Sequence, residues 1–243
     1  MPQNVYDNPE FFQRYRDLRQ NDTGLNGALE VPAFQKLLPS LVGLQILDLG
    51  CGFGEFARYG RSQGAAYVEA IDVSEKMVAE ARSLTADDKI NFMCRSIESH
   101  SPEIETFDLV TSSMALHYIS DYKAVVQTVW RCLVQGGMFV FSVEHPSCTA
   151  NPVGWIRDED GTALHWPLDR YQSEGERRTS WFIEGVTKYH RTVETYVNTL
   201  IEQGFQLTHL GEPKPLDGHV SRRPWLLETL KRPPVLLLAA KKT

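Results

Sequence analysis

Short apolar runs and helical segments alternate along the middle of this chain. Five apolar runs are bounded by glycine or polar residues, as buried β-strands commonly are. They lie at 45–49, 67–71, 90–94, 107–111 and 138–143. Helical periodicity separates the runs, for example where Val125, Val129 and Leu133 repeat on one face. Ser120 is placed to cap this helix and the glycines at 136–137 to end it. The alternation predicts a mostly parallel sheet with right-handed crossovers and helices on both faces.

The two ends of the chain depart from this alternation. Residues 1–40 form a cap before the first strand, and an aromatic-rich segment at 6–19 looks helical. Near the other end, Thr192 starts an amphipathic helix. After it, 205–210 and 235–240 are predicted as the last two strands.

Residues 146–190 are rich in Trp, Gly, Pro and charge and show no clear period. A structureless loop of this length is uncommon in a compact domain, so we expect an inserted lid with order of its own. We predict a single domain, 1–243, in which a core at 44–145 precedes the insertion and 191–243 follows it.

Charge and composition argue against several classes of protein. The formal net charge of −6 at pH 7 argues against a nucleic-acid partner, because phosphate binding needs clustered Lys and Arg. No apolar run approaches the roughly 18 residues of a membrane-spanning helix. The cysteines are scattered, without C-x-x-C or a His/Cys cluster, so we expect a cytoplasmic protein without a metal site. They are Cys51, Cys94, Cys132 and Cys148.

A glycine-rich turn follows the first predicted strand. Residues 46–54 read ILDLGCGFG, and the second strand runs into Asp72 about 20 residues later, the layout of a nucleoside-cofactor site. The glycines at 50, 52 and 54 are spaced differently from those of the G-x-G-x-x-G motif of dinucleotide sites, because the third comes one position early. In addition, Asp48 places a carboxylate that suits an ammonium group better than a pyrophosphate. These features disfavour a nicotinamide-dependent oxidoreductase, which remains an alternative.

The same residues resemble motif I of the class I S-adenosylmethionine-dependent methyltransferases, whose consensus is (V/I)-L-D-x-G-x-G-x-G. The resemblance extends by motif over 44–143 and by element order to the C-terminus. It implies a Rossmann-like, doubly wound, seven-stranded α/β sheet, mostly parallel with an antiparallel last strand. It also implies S-adenosyl-L-methionine as cofactor and S-adenosyl-L-homocysteine as product.

The resemblance assigns cofactor-binding roles along the carboxyl ends of the strands. Candidates for the methionine part of the cofactor are Asp48, Gly50, Cys51 and Gly52. Asp72 would bind the ribose hydroxyls. Candidates near the adenine are Val73, Met77, Ser96 and Ile97, and those near the sulfonium are Ser113 and Met114. Ser96 stands where many relatives have an acid. From the N-terminal cap, Tyr15 and Arg19 would close over the cofactor carboxylate.

Four residues are candidates for contact with the methyl acceptor. Glu144 and His145 end the fifth strand, and a carboxylate beside an imidazole can position or deprotonate a hydroxyl there. His117 belongs to a Leu-His pair after the fourth strand, which is similar to small-molecule methyltransferases of the ubiquinone-biosynthesis type. His190, at the end of the insertion, is a second candidate base.

The expected substrate is a small organic molecule. The (D/N)-P-P-(Y/F) motif of related amide and adenine methyltransferases is absent after the fourth strand. The aromatic cap and the Trp-rich insertion would roof a mostly apolar pocket. We therefore expect O-methylation ahead of C- or N-methylation. A catalytically silent protein that binds S-adenosylmethionine is a further alternative, because a fold alone does not assign chemistry.

Overall fold

A seven-stranded sheet forms the centre of the structure, a computed structural model that describes residues 3–22, 24–151 and 153–243. The strands in this part of the chain are β1 (Gln45–Leu49), β2 (Tyr67–Asp72), β3 (Ile90–Cys94), β4 (Phe107–Ser112), β5 (Leu133–Glu144), β6 (Ile156–Arg157), β7 (Ala163–His165), β8 (Gly175–Trp181), β9 (Ile183–His190), β10 (Phe205–Gly211) and β11 (Val235–Lys242). The sheet has the order β10-β11-β5-β4-β1-β2-β3. Neighbours from β3 to β5 are parallel, and β11 is antiparallel to both β5 and β10. The predicted Rossmann-like sheet with an antiparallel last strand is confirmed.

Helices cover both faces of this sheet. They are α1 (Pro9–Gln20), α2 (Val31–Gln35), α3 (Glu55–Ser62), α4 (Glu75–Ser83), α5 (Tyr122–Cys132), α6 (Pro146–Thr149), α7 (Val193–Gln203) and α8 (Asp217–Val220). Successive side chains of β1 point to opposite faces. Leu47 therefore packs in a buried cluster with α5 and α7, and Ile46 packs in the cluster that contains α2, α3 and α4. Among the described residues, no helix combines the length and apolarity needed to span a membrane.

Short helical turns connect these elements. They are Val5–Asp7, the π-helical Asn26–Glu30, Ile97–Ser99, Leu116–Tyr118 and Pro224–Leu230. Two of them follow β3 and β4 and so lie at the carboxyl edge of the sheet.

The start of α5 differs from the sequence prediction by one residue. Asp121, and not Ser120, caps the helix, because its Oδ1 accepts a hydrogen bond from the Ala124 N–H at 2.9 Å. The Ser120 hydroxyl instead donates to Oε1 of Glu98 at 2.6 Å. The prediction that Ser120 is the cap was therefore wrong.

The end of α5 also comes earlier than predicted. The helix ends at Cys132, because Leu133 already pairs with Phe107 of β4. Gly136, expected to end the helix, lies inside β5 with φ +80°. The pairing of β4 with β5 shifts register between Leu133 and Met138, and Gly136 lies within this stretch. Its positive φ allows the local bulge.

The segment 146–190 contains two antiparallel hairpins, β6–β7 and β8–β9, after the short helix α6. Val186 of β9 is fully buried against Val5 and Phe11 of the N-terminal cap. The insertion and the cap therefore pack against each other.

Candidate active site

A cavity of about 940 Å³ opens at the carboxyl ends of β1 to β5. Its floor is formed by the residues that directly follow these strands. Its other walls combine Tyr6 and Tyr15 of the cap with Trp181 and Lys188 of the insertion. The rings of Tyr15 and Trp181 meet edge to face, with centroids 6.0 Å apart. The topology of a parallel sheet places ligand sites at this edge.

Two glycines of the turn differ in the space around them. Gly50 is too close to its neighbours to carry a side chain, whereas Gly52 faces open space. Gly50 has φ +82°, and a Cβ there would lie 2.5 Å from Cβ of Ala115, so only glycine fits. Gly52 has φ +51°, and a Cβ there would meet no atom within 4 Å. Because Gly52 lines the cavity, the backbone leaves that space open for a ligand.

The carboxylate of Asp72 is held by two backbone groups. Its Oδ2 accepts from the Gly52 N–H and its Oδ1 from the Ser74 N–H, each at 2.9 Å. Burial raises the pKa of Asp72, an effect that these two N–H donors oppose. Each carboxylate oxygen can accept a further hydrogen bond, so the carboxylate is oriented for a hydroxyl donor on the cavity side.

Asp48 has one carboxylate oxygen without a partner. Thr111 donates its hydroxyl to Oδ1 at 3.0 Å, while Oδ2 is buried and finds no hydrogen-bond partner among the described residues. Burial raises the pKa of Asp48 to about 7, with the Thr111 hydrogen bond opposing this shift and the negative charge of Asp72 adding to it. A buried acceptor without a donor is costly, so the site suits a cationic ligand group.

The remaining cofactor candidates all line the cavity. They are Tyr15, Arg19, Cys51, Val73, Met77, Ser96, Ile97, Ser113 and Met114. Several of them, among them Ser96, Arg19 and Ser113, already have protein partners. The Ser96 hydroxyl accepts from the Ser99 N–H at 3.2 Å, and the guanidinium of Arg19 pairs with Glu55. Their individual contacts with a cofactor stay predictions.

Two of the four acceptor candidates lie together on the cavity. Nδ1 of His117 accepts from the backbone N–H of Glu144 at 3.2 Å, and Oε2 of Glu144 lies 2.5 Å from Nζ of Lys188. Burial lowers the pKa of His117 to about 3, so the imidazole is neutral. Burial favours protonated Glu144, but the charge of Lys188 and the imidazole of His117 lower its pKa overall. Glu144 is therefore an ionised carboxylate.

The structure does not place the other two, His145 and His190, on the cavity. Side chains of successive residues in extended chain point in opposite directions, so His145 turns away from the side that Glu144 faces. It caps α6, and its Nε2 lies 2.9 Å from Oε1 of Glu212. His190 is fully buried between the Thr149 hydroxyl at 2.7 Å and the Tyr171 carbonyl at 2.8 Å. Both histidines have structural partners.

Glu30 is a cavity residue that the sequence did not reveal. It is only 1% exposed, and its Oε1 accepts from the hydroxyls of Ser113 at 2.8 Å and Ser142 at 2.6 Å. Its Oε2 is buried without a partner among the described residues. Burial raises its pKa, and the two serine hydroxyls oppose that shift. Its position in a π-helical turn carries no motif that could have identified it.

Known proteins match both the sequence and this architecture. The family model of a methyltransferase domain matches residues 47–141. A solved S-adenosylmethionine-dependent methyltransferase from Mesorhizobium loti is 45% identical, with 90% of this chain and 100% of that chain covered and a TM-score of 0.83. A candidate S-adenosylmethionine-dependent methyltransferase from Listeria monocytogenes is 40% identical, with 88% and 96% covered and a TM-score of 0.84. This chain belongs to the class I S-adenosylmethionine-dependent methyltransferases.

Other relatives of this methyltransferase differ in how much they share with it. An uncharacterized protein of Haemophilus influenzae is 34% identical over 252 residues, which cover 98% of this chain and 96% of the relative. The malonyl-[acyl-carrier protein] O-methyltransferase of Enterobacter lignolyticus is 36% identical over 110 residues, 45% of this chain and 43% of that protein. The ubiquinone biosynthesis O-methyltransferase of Neisseria meningitidis is 32% identical over 106 residues, 42% of this chain and 44% of that protein. The similarity to these two enzymes spans less than half of each.

The cavity fits the cofactor of the family. Asp48 has an acceptor oxygen without a partner among the described residues, Asp72 presents a carboxylate held by two backbone N–H groups, and the backbone at Gly52 leaves open space. The predicted enzyme class and cofactor, S-adenosyl-L-methionine, are confirmed. The oxidoreductase alternative does not hold.

Proposed function

We propose that this enzyme transfers a methyl group to an oxygen atom of a small organic acceptor bound beside Glu144. The observation that carries the proposal is that one cavity joins Asp72 and the glycine turn to Glu144, His117 and Lys188. The two partly matching relatives named as O-methyltransferases support the choice of oxygen.

The cofactor would be held by the residues at the carboxyl edge of the sheet. Asp72 would bind the ribose hydroxyls, Asp48 the ammonium group, and Val73 and Met77 would pack against the adenine. When bound, the cofactor supplies an activated methyl group on a sulfonium. Catalysis then requires alignment of the acceptor and exclusion of water, which the aromatic walls around Trp181 would provide.

The polar group beside Glu144 can prepare an acceptor hydroxyl. Because Nδ1 of His117 accepts a hydrogen bond, the neutral ring carries its proton on Nε2, an assignment made from the hydrogen-bond network. His117 is therefore a hydrogen-bond donor at Nε2 and takes up no proton there. The ionised Glu144 can accept the proton of the acceptor hydroxyl, and the ammonium of Lys188 stabilises the resulting oxyanion.

The test is to identify the atom that receives the methyl group. The purified enzyme is incubated with S-adenosylmethionine that carries a deuterated methyl group, together with phenols, carboxylic acids, amines and activated carbon acids. Mass spectrometry and NMR then locate the label. We expect a methyl ether or methyl ester. A labelled amine or a new carbon–carbon bond as the main product would contradict the proposal.

A further inference from the structure

Charged side chains line the cavity in two groups, with Arg19 paired to Glu55 in the first and Glu144 paired to Lys188 in the second. Carboxylates from the cap, α3 and the carboxyl ends of the strands line the part around the glycine turn. They are Glu30, Asp48, Glu55, Asp72 and Glu98. Most of the cations come from the insertion and from the segment before β11. They are Arg177, Arg178, Lys188 and Arg232. We call the wall that carries these four cations the basic wall. The acidic part complements a cationic cofactor, so the basic wall calls for an occupant of opposite charge.

Three of the four cations of the basic wall have protein partners. Lys188 pairs with Glu144 at 2.5 Å, and Arg178 pairs with Glu176 at 3.0 Å. Arg177 donates to backbone carbonyls, including that of Glu176 at 3.1 Å. Lys188 and Arg178 therefore have carboxylate partners, whereas Arg177 has carbonyl partners and a buried Nε without a partner among the described residues.

Among the described residues, Arg232 has neither a carboxylate nor a carbonyl partner, and its one hydrogen-bond partner is the sulfur of Cys148. Among the described residues, no carboxylate lies within 4.0 Å of its side-chain nitrogens. Its Nε is buried and has no hydrogen-bond partner in the same part of the chain. Burial lowers the pKa of Arg232, an effect that the charge of Glu144 opposes. A desolvated guanidinium without a carboxylate is costly for the empty protein and becomes favourable when an anion binds.

The surroundings of Arg232 hold its guanidinium in one plane. The group stacks over Trp166, 4.0 Å from the ring centroid, and lies 5.6 Å from the centroid of Trp155. The Trp166 indole is itself fixed, because its Nε1 donates to the Ser147 carbonyl at 2.8 Å. On another side the guanidinium contacts the sulfur of Cys148. Stacking fixes the face of the guanidinium and leaves the N–H groups that do not contact Cys148 to bind a planar acceptor.

We propose that Arg232 binds a carboxylate group of the methyl acceptor, so that the enzyme acts on small organic acids. The inference rests on the proposed function in that the bound acid is the acceptor. The apolar surface of Trp166 would pack against the carbon skeleton of the acid. The specificity comes from the guanidinium edge, which matches two carboxylate oxygens at once.

Calorimetric titration tests the proposal with benzoate and its uncharged isostere benzamide as probes. Both are titrated into protein saturated with S-adenosylhomocysteine. We expect benzoate to bind at least tenfold more tightly than benzamide, and Arg232→Gln to remove this preference. Arg222→Gln is the matched control, because Arg222 is exposed and donates to the Gly218 carbonyl outside the cavity. It should keep the preference.

Several results would overturn the proposal. They are equal binding of benzoate and benzamide, an intact preference in Arg232→Gln, or no benzoate binding up to about 20 mM. Tighter binding of phenylphosphonate than of benzoate would overturn the choice of a carboxylate. If Arg232→Gln does not fold, Arg232→Lys serves instead. It keeps the charge but loses the planar fork, and we expect it to reduce the preference at least threefold.

These titrations and the labelled-methyl assay together separate this inference from the proposed function. If S-adenosylhomocysteine binds normally but benzoate is not preferred over benzamide, the inference alone fails. If the acid preference is present but no acceptor oxygen is ever methylated, the anion site stands and the proposed O-methylation fails.

Discussion

Replacement of Gly52 by alanine should have two effects that can be measured separately. Backbone strain lowers the stability of the empty protein, and the added methyl group weakens cofactor binding. Gly52 has φ +51°, and its new Cβ would meet no protein atom within 4 Å, so the variant has no steric clash in the empty protein. A non-glycine residue in the left-handed region costs about 1 kcal/mol. In a domain of this size, that cost lowers Tm by about 2–4 °C.

The effect on cofactor binding should be larger than the effect on stability. The added methyl group would occupy the cavity next to Asp72, whose Oδ2 accepts from the Gly52 N–H at 2.9 Å. We expect the affinity for S-adenosylhomocysteine to fall at least tenfold, or about 1.4 kcal/mol. Calorimetric titration measures the affinity, and thermal unfolding without ligand measures the stability.

Gly161 provides a matched control for this variant. It has φ +80°, a Cβ there would also meet no atom within 4 Å, and it is exposed outside the cavity. Gly161→Ala should therefore show a similar decrease in Tm with unchanged affinity for S-adenosylhomocysteine. Unchanged affinity in Gly52→Ala would refute the placement of the cofactor against this turn.

Four further variants test individual side chains in the site or next to it. Asp72→Asn should weaken S-adenosylhomocysteine binding about tenfold or more in calorimetric titration, because charge-assisted hydrogen bonds contribute about 1.5–3 kcal/mol each. Burial raises the pKa of Asp48 to about 7 in the folded protein, well above its unfolded value, so without cofactor the protein should lose stability as pH rises from about 4 to about 7. Asp48→Asn should remove about 2–3 kcal/mol of that loss between about pH 5 and pH 8, measured by urea unfolding at these two pH values. An identical pH dependence in wild type and variant would contradict this pKa assignment. Glu144→Gln should lower turnover while S-adenosylhomocysteine affinity stays within about twofold, whereas His145→Ala should lower stability by about 1 kcal/mol through loss of its helix cap. Equal losses of turnover and affinity in Glu144→Gln would assign that residue to cofactor binding or folding.

Local patterns made the sheet and the cofactor end of the cavity predictable. Each core strand is an apolar run, and Asp48, Gly50, Gly52 and Asp72 stand at fixed offsets from the ends of two such runs. Backbone geometry makes these offsets informative, because the left-handed φ at Gly50 and the close approach of Ala115 require glycine.

The acceptor side depends on contacts between distant parts of the chain. Glu30 reaches Ser142 across 112 residues, and Glu144 meets Lys188 across 44 residues. No spacing rule connects such pairs, because the packing of the cap and the insertion brings them together. His145 shows a local rule that could have been applied. Adjacent residues of extended chain face opposite sides, and this rule argues against the sequence-based prediction that Glu144 and His145 face the same acceptor.

Calorimetric titration of the wild-type protein with S-adenosylhomocysteine, with NAD and NADP titrated in parallel, tests the cofactor site most directly. The glycine turn, the fixed carboxylate of Asp72 and the unpartnered oxygen of Asp48 predict binding of one equivalent with micromolar affinity and no binding of either dinucleotide. No binding of S-adenosylhomocysteine, or tight binding of a dinucleotide, would contradict the assignment of this cavity.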